Sequence, residues 1–402
     1  MNVFNRIFCR TFQKCFHIAI PILPYRTPKI LDSVCDVPSE LKSRKVKKVM
    51  IVTDEFIGKS HGMTLLKQAL EKENVPYVFY DKTKPNPTVS NVEEARSIYI
   101  ENGCNGLIGF GGGSAMDCAK AVGARIARPR KSIQQMEGIL GIIKKLPPLI
   151  AVPTTAGTGS ETTVTFVITD DETHHKFPVS DFPMIPVAAV LDPENTRTLP
   201  PHLTATTGMD ALTHSVEAYI GRSTTRKSRK NALDGIELVS ENLLKCYENG
   251  DDMDARRNML LASFYGGAAF SVSYVGYCHA VAHSLGGKYN IPHGLANAVL
   301  LPKTLEIYGK SAYKRLKDVA IAFGVADKNT DEKTAAENFI KAAYDYNEKM
   351  GIPKAFPEIR KEDIPALSKI AAKEANPIYP VPKLMNATEL EEIYMSVCTE
   401  DK

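Results

Sequence analysis

The sequence contains no tryptophan and only nine histidines. Its eight cysteines stand at 9, 15, 35, 104, 118, 246, 278 and 398, without the paired spacing of a metal knuckle or a disulfide framework. That scatter excludes a disulfide-stapled secreted scaffold and suits a reducing, cytoplasmic compartment. No apolar run reaches the ~20 residues of a spanning helix, so no transmembrane segment is expected. An excess of one charge sign is missing too. Lys and Arg number 50 against 46 Asp and Glu, a net of +4 that gives no reason to expect nucleic acid. With 44% hydrophobic residues, 26 Gly and 25 Pro, the composition excludes wholesale disorder, collagen and coiled-coil rods. A chain of 402 residues has room for two or three domains.

Residues 1–31 hold Arg6, Arg10, Lys14, Arg26 and Lys29 and no acid before Asp32. Phe4, Ile7, Phe8, Phe12, Phe16 and Ile20 recur at helical spacing. An amphipathic helix is therefore expected over residues 1–24, with three open roles: packing on its own protein, resting on a membrane surface, or serving as a presequence.

Over residues 25–200, strand-like and helix-like segments alternate. Val- and Ile-rich runs at 48–53, 77–80, 106–110, 149–153 and 188–191 read as buried strands, and 61–73 and 92–102 as helices between them. Such alternation predicts a parallel sheet covered by helices. Residues 163–169 read as an extra strand, part of a hairpin. Beyond Pro200-Pro201 only helical patterns remain, at 207–220, 226–247, 254–287, 313–323, 334–350 and 387–397. The expectation is an α/β domain over 25–200 followed by an all-α domain over 201–402.

Three stretches in the α/β half carry binding chemistry. The strand 106–110 runs into Gly111-Gly112-Gly113-Ser114 and then a helix, which would offer free backbone N–H groups to a diphosphate. The spacing departs from G-x-G-x-x-G, and Ser114 with Asp117 also reads as a plain capping box. Asp54 ends the first strand, where a carboxylate accepts ribose hydroxyls, though an Asp there is also an ordinary helix cap. Thr154-Thr155-Ala156-Gly157-Thr158-Gly159-Ser160 follows another strand and suits a ligand crevice.

In the helical half, Asp210 and His214 are four apart on one helix, as are His279 and His283 on another. His293 follows in Asn290-Ile291-Pro292-His293-Gly294, where Pro and Gly interrupt the helix. One carboxylate and three imidazoles suit Fe²⁺ or Zn²⁺, and four histidines compete for the three places. Five ionisable groups on otherwise apolar helices are hard to explain as packing.

These residues carry a resemblance. Ala205-Thr206-Thr207-Gly208-Met209-Asp210-Ala211-Leu212-Thr213-His214-Ser215-Val216-Glu217-Ala218-Tyr219 resembles the first signature of the iron-containing (group III) alcohol dehydrogenases. His279-Ala280-Val281-Ala282-His283-Ser284-Leu285-Gly286-Gly287, with Pro292-His293-Gly294 and Asn297, resembles the second. That family includes lactaldehyde reductases, 1,3-propanediol dehydrogenases and butanol dehydrogenases.

The resemblance implies a Rossmann-like domain followed by a helical one, in the dehydroquinate synthase-like architecture. It implies Asp210, His214, His279 and His293 as ligands of one divalent metal, Fe(II) or else Zn(II), and His283 as a histidine near the nicotinamide. Gly112, Gly113 and Ser114 match the diphosphate site, Thr155, Thr158 and Lys176 further cofactor contacts, and Asn86 an adenosine-side loop. Asp54 matches the acid that would repel a 2′-phosphate, favouring NAD over NADP. The implied activity is hydride transfer between NAD(P) and a primary or secondary alcohol or its aldehyde, both substrates lying in a cleft between the halves of a homodimer or larger homo-oligomer. The alternatives are a metal- and NAD-using lyase of the dehydroquinate synthase type, and a non-catalytic metal-binding protein.

Overall fold

The computed structural model describes residues 1–399. The chain forms two compact units, one of residues 24–199 and one of residues 1–23 together with 200 onward. In chain order the second unit begins with α1 (Val3–Ala19). The first unit then contains β1 (Lys29–Leu31), α2 (Val37–Ser43), β2 (Val49–Val52), α3 (His61–Lys72), β3 (Tyr77–Tyr80), α4 (Val89–Glu101), β4 (Gly106–Gly111), α5 (Gly113–Ala127), β5 (Gly138–Ile139), β6 (Leu149–Pro153), β7 (Thr165–Thr169), β8 (Lys176–Ser180) and β9 (Ala188–Val190).

Six strands form one sheet in the order β1-β9-β6-β4-β2-β3, parallel throughout. Every residue of β2, β4 and β6 is buried, as expected of strands covered on both faces. Alternation along the strands divides the core. Met50, Val52, Leu107 and Leu149 face α4 and α5, whereas Val49, Ile51, Ile108 and Ile150 face α2 and α3. The strand expected at 163–169 is β7, which pairs antiparallel with β8 in a separate three-stranded sheet, order β5-β8-β7. The strands β1 and β5, of three and two residues, are too short to show a period, and β8 carries Pro178 in mid-strand, a residue that argues against a strand; the sequence revealed none of the three.

The helical unit continues with α6 (Pro201–Ile220), α7 (Arg226–Glu248), α8 (Met253–Ser273), α9 (Tyr277–Tyr289), α10 (His293–Tyr308), α11 (Tyr313–Ala322), α12 (Glu332–Lys349), α13 (Ile364–Ala375) and α14 (Ala387–Val397). Among the described residues no single helix is long and apolar enough to cross a membrane. The expectation of one helix over 254–287 is corrected. The chain breaks after Ser273 and turns through 102° between α8 and α9. Tyr274 adopts φ +58°, and the Gly276 N–H is withdrawn from the helix to donate to Glu217. Apolar periodicity runs through the break and hides it. In this unit α10, which continues over Pro302, and α13 also escaped the sequence reading, as α2 did in the other.

In α1, Arg10 donates to the carbonyls of Val381 and Pro382 at 2.8 and 2.9 Å, and Gln13 to those of Tyr379 and Pro377 at 2.7 and 3.1 Å. The face packed on the protein thus carries the polar Arg10 and Gln13 beside Cys9, Phe16 and Ile20.

Candidate metal and cofactor sites

On α6 the sequence spacing places Asp210, His214 and Glu217 at i, i+4 and i+7, one face of a helix buried nearly all round from Gly208 onward. His279 lies in the first turn of α9, and His293 opens α10. Asn290, at φ +55°, ends α9 in the left-handed conformation, and Pro292 precedes the new helix. Gly294 lets α10 approach α6 closely, since a Cβ there would stand 2.6 Å from the Thr206 carbonyl oxygen.

Asp210, His214, His279 and His293 each offer one ligand atom within 4.8 Å of the others. Asp210 Oδ1 is 3.7 Å from His279 Nε2 and 3.6 Å from His293 Nε2. The His214 ring stacks on Phe270 at 4.2 Å and stands 4.4 Å from that of His279. Asn297, fully buried one turn after His293, donates to Asp210 Oδ1 at 2.7 Å and so fixes that carboxylate.

The donor set fits a divalent metal. His279 Nε2 is buried without a hydrogen-bond partner, which is costly unless a cation takes its lone pair. Burial, reinforced by His214, His293 and His283 nearby, holds the His279 pKa well below the ordinary histidine value, so the ring is neutral. Its Nδ1 lies 2.6 Å from Glu217 Oε2. Burial raises the Glu217 carboxyl to about 7 even though backbone N–H groups of Gly276 and Cys278, donating to its two oxygens at 2.8 and 2.9 Å, oppose the rise; with both oxygens held as acceptors, neither is left to donate to His279. Nδ1–H therefore donates to Glu217 and the lone pair sits on Nε2, facing the other ligands.

His283 stands apart from the four. Its Nδ1 lies 2.7 Å from Glu374 Oε1, which also accepts from Tyr379 Oη at 2.7 Å, and its ring stacks on that of His293 at 5.1 Å. Glu217, Asn297 and Glu374 were not singled out from the sequence. Glu217 was within reach, being on the Asp210–His214 face, and Asn297 is four residues beyond His293. Glu374 lies too far along the chain for any periodicity to reveal it.

In the α/β unit the loops after β2, β4 and β6 leave the same edge of the parallel sheet. The strand order reverses between β2 and β4, the place where open α/β sheets hold ligands. Asp54 follows β2. It caps the next turn, Oδ1 accepting from Ile57 N at 2.9 Å, while Oδ2 points at the glycine loop, 3.6 Å from where a Cβ on Gly111 would stand. Gly111 has φ +152°, and a Cβ there would lie 2.7 Å from Ala115 Cβ, so glycine is required.

Gly112 is the N-cap of α5, with no side chain capping that helix end. The capping-box reading of Ser114 and Asp117 is thus corrected: the helix starts two residues earlier, and Asp117 instead accepts from Ser160 Oγ at 2.7 Å and Val167 N at 2.9 Å. Thr155 lies against Gly112, its Oγ1 buried and unpartnered, and Thr158 lies against Gly113. A cradle without Cβ atoms, uncapped helix N–H groups and an orphaned hydroxyl fit a dinucleotide diphosphate. Lys176 and Asn86 are brought together, Nζ donating to Oδ1 at 2.8 Å, with Asn86 at φ +56°.

Comparison with known proteins agrees with this geometry. Residues 31–193 match the family described as iron-containing alcohol dehydrogenase, and residues 204–398 the C-terminal part of the Fe-containing alcohol dehydrogenase family. The chain belongs to the iron-containing alcohol dehydrogenase family. Alcohol dehydrogenase 4 of Saccharomyces cerevisiae is 38% identical over 83% of this chain and 87% of its own length. The NAD-dependent methanol dehydrogenase of Bacillus methanolicus is 34% identical over 85% and 90%. The solved structure of an alcohol dehydrogenase from Oenococcus oeni superposes with a TM-score of 0.89 at 32% identity, covering 93% of this chain and all of that one. As a member of this family the chain is an alcohol dehydrogenase, acting on small alcohol or aldehyde molecules, and the lyase alternative is not favoured.

Proposed function

We propose that this alcohol dehydrogenase uses NAD and one divalent metal, Fe(II) before Zn(II), to interconvert a small primary or secondary alcohol and its carbonyl product. The observation that carries this reading is the convergence of one carboxylate and three imidazoles, with the buried Nε2 of His279 among them. Asp210, His214, His279 and His293 would hold the metal. When bound, the metal supplies Lewis acidity at the substrate oxygen, and the nicotinamide accepts or gives the hydride.

The chain's own residues do the rest. Gly112, Gly113 and Ser114 present the amides of the α5 N-terminus to the diphosphate, and Thr155 and Thr158 add hydroxyls beside them. Asp54 accepts from the ribose and disfavours a 2′-phosphate. Asn86 and Lys176 bound the adenosine side. His283, oriented through Nδ1 by Glu374, is assigned the proton relay. The α/β domain over 25–200 is proposed as the cofactor half and 201–402 as the metal half, with 1–24 an amphipathic extension. A homodimer or larger homo-oligomer is proposed too, supported by the exposed apolar cluster of Ile139, Leu140 and Ile143, and sedimentation velocity tests it. A reducing, cytoplasmic setting is supported by eight free cysteines, six of them buried.

Purification without oxygen, metal analysis and a nicotinamide absorbance screen with NAD and NADP test the reading. We expect bound iron or zinc and turnover of at least one short-chain alcohol. Silence across short-chain, diol and aromatic substrates in the metallated protein would overturn it.

A further inference from the structure

The helix α1 is packed in an unusual sense. Helices normally turn apolar residues inward and polar ones to water. Here Arg10 and Gln13 face inward and spend their hydrogen bonds on carbonyls at residues 377–382, while Ser223 Oγ donates to the Gln13 carbonyl at 3.1 Å. These contacts, with Cys9 and Ile20 buried on the same side, fix the roll of the helix. The opposite face is apolar and uncovered. Phe4 is 79% exposed, Ile7 61%, Phe8 56% and Ile18 66%. Seven of the fifteen large hydrophobic side chains that stand exposed among the described residues lie in the first 22 residues, so this is a continuous stripe and not scattered surface.

The charge beside the stripe has one sign. Arg6 and Lys14 lie along its flank with His17 on the same side, Arg10 between them being turned inward to its carbonyls, and no acidic residue occurs before Asp32. On this flank Glu389 Oε1 lies 3.8 Å from Arg6. Lys14 and His17 remain exposed.

We propose that α1 docks this protein on an anionic lipid surface, the stripe of Phe4, Ile7, Phe8 and Ile18 entering the headgroup boundary and Arg6 and Lys14 meeting lipid phosphates. An apolar face with a basic flank is the pattern of helices that lie in the membrane interface plane. A protein partner of complementary shape would satisfy the stripe alone. The one-signed flank selects an anionic plane. The inward hydrogen bonds of Arg10 and Gln13 hold the helix to the helical unit while its other face is engaged.

The full chain is mixed with vesicles of phosphatidylcholine and phosphatidylglycerol in equal parts, or of phosphatidylcholine alone, and floated through a density gradient. We expect flotation with the mixed vesicles, weakening as salt rises and screening shortens to a few ångströms, and little with the neutral ones. Phe4→Glu and Phe8→Glu should each lower partitioning by about tenfold or more. Lys14→Glu should lower it with mixed vesicles only. All three variants should keep the parent's helix content and its alcohol-dependent NAD reduction, because none of these residues touches the metal or cofactor sites.

The proposal is overturned if the full chain stays in solution with mixed vesicles or if Phe8→Glu floats like the parent. It is equally overturned if the glutamate variants change only the oligomeric state in sedimentation, which would make the stripe a contact between copies. Terminal sequencing of the chain from its own cells that finds α1 removed would also overturn it.

Discussion

Glu217 Oε2 lies 2.6 Å from His279 Nδ1, and a glycine makes that contact possible: a Cβ on Gly276 would sit 2.5 Å from Glu217 Oε1. The carboxylate decides which nitrogen of His279 carries the proton. Glu217→Gln keeps the shape but puts an amide N–H against Nδ1, which pushes the ring proton onto Nε2, where the metal would bind. We expect metal affinity to fall about 10- to 100-fold, with activity recovering as metal is added in excess. Competition with a chromophoric chelator measures it. Unchanged affinity in a folded variant would deny Glu217 its positioning role.

Removing the metal has a predicted cost to stability. Three imidazoles and Asp210 crowd within 4.8 Å in a buried pocket, and a ligand that binds only the folded state stabilises it by mass action. At a free concentration about a hundredfold above its dissociation constant, that linkage is worth about 2.7 kcal/mol. Chelation should lower Tm, and Fe(II) or Zn(II) should restore it. His279→Ala should melt at one temperature with or without added metal.

Thr155→Val separates cofactor binding from folding. The Thr155 hydroxyl is buried and unpartnered, so replacing it by a methyl of similar size removes an unsatisfied group and leaves stability unchanged or higher. If that hydroxyl serves the dinucleotide, KM for NAD rises several-fold while kcat changes little. A drop in Tm with unchanged KM would assign Thr155 to packing instead.

How far these features were legible follows from how local their signals are. The strands at 49–52, 106–111 and 149–153 are continuous apolar runs ended by turn residues, and buried parallel strands announce themselves that way. Asp210 and His214 were legible because four residues is one helical turn. The turn at Tyr274–Gly276 was not, because residues on both sides of it are apolar and its cause, Glu217, lies some sixty residues upstream. The reversed packing of α1 was hidden for a similar reason: its polar residues bond to backbone carbonyls at 377–382, and carbonyls have no sequence signature.

The α/β unit has its own acid sensitivity. Burial alone would raise the Glu40 carboxyl, yet hydrogen bonds from Lys29 and Arg44 outweigh it and hold its pKa below the ordinary glutamate value. A depressed folded pKa gives stability that is fully present above the ordinary value and is lost as pH falls through the folded one. Thermal melts from neutrality downward should therefore show Tm falling in acid. Glu40→Gln should start lower at neutral pH and lose less across that window, and parallel curves would exclude Glu40 as a source.

Asp54 uses its two oxygens differently, one capping a turn and the other facing the glycine loop. A 2′-phosphate arriving beside it meets a like charge, a repulsion of about 1 kcal/mol at 4 Å with water's screening and about 4 near a protein surface. Asp54→Gly removes both cap and charge. It should raise kcat/KM for NADP about tenfold or more and lower that for NAD through loss of the ribose acceptor. Asp54→Asn keeps the cap through its one oxygen and turns an uncharged amide N–H toward the ribose, whose hydroxyl oxygens can accept, so it should gain NADP use while retaining part of its NAD use and the parent's Tm. If neither variant changes the NAD-to-NADP ratio, the carboxylate is a turn cap alone and cofactor preference is set elsewhere.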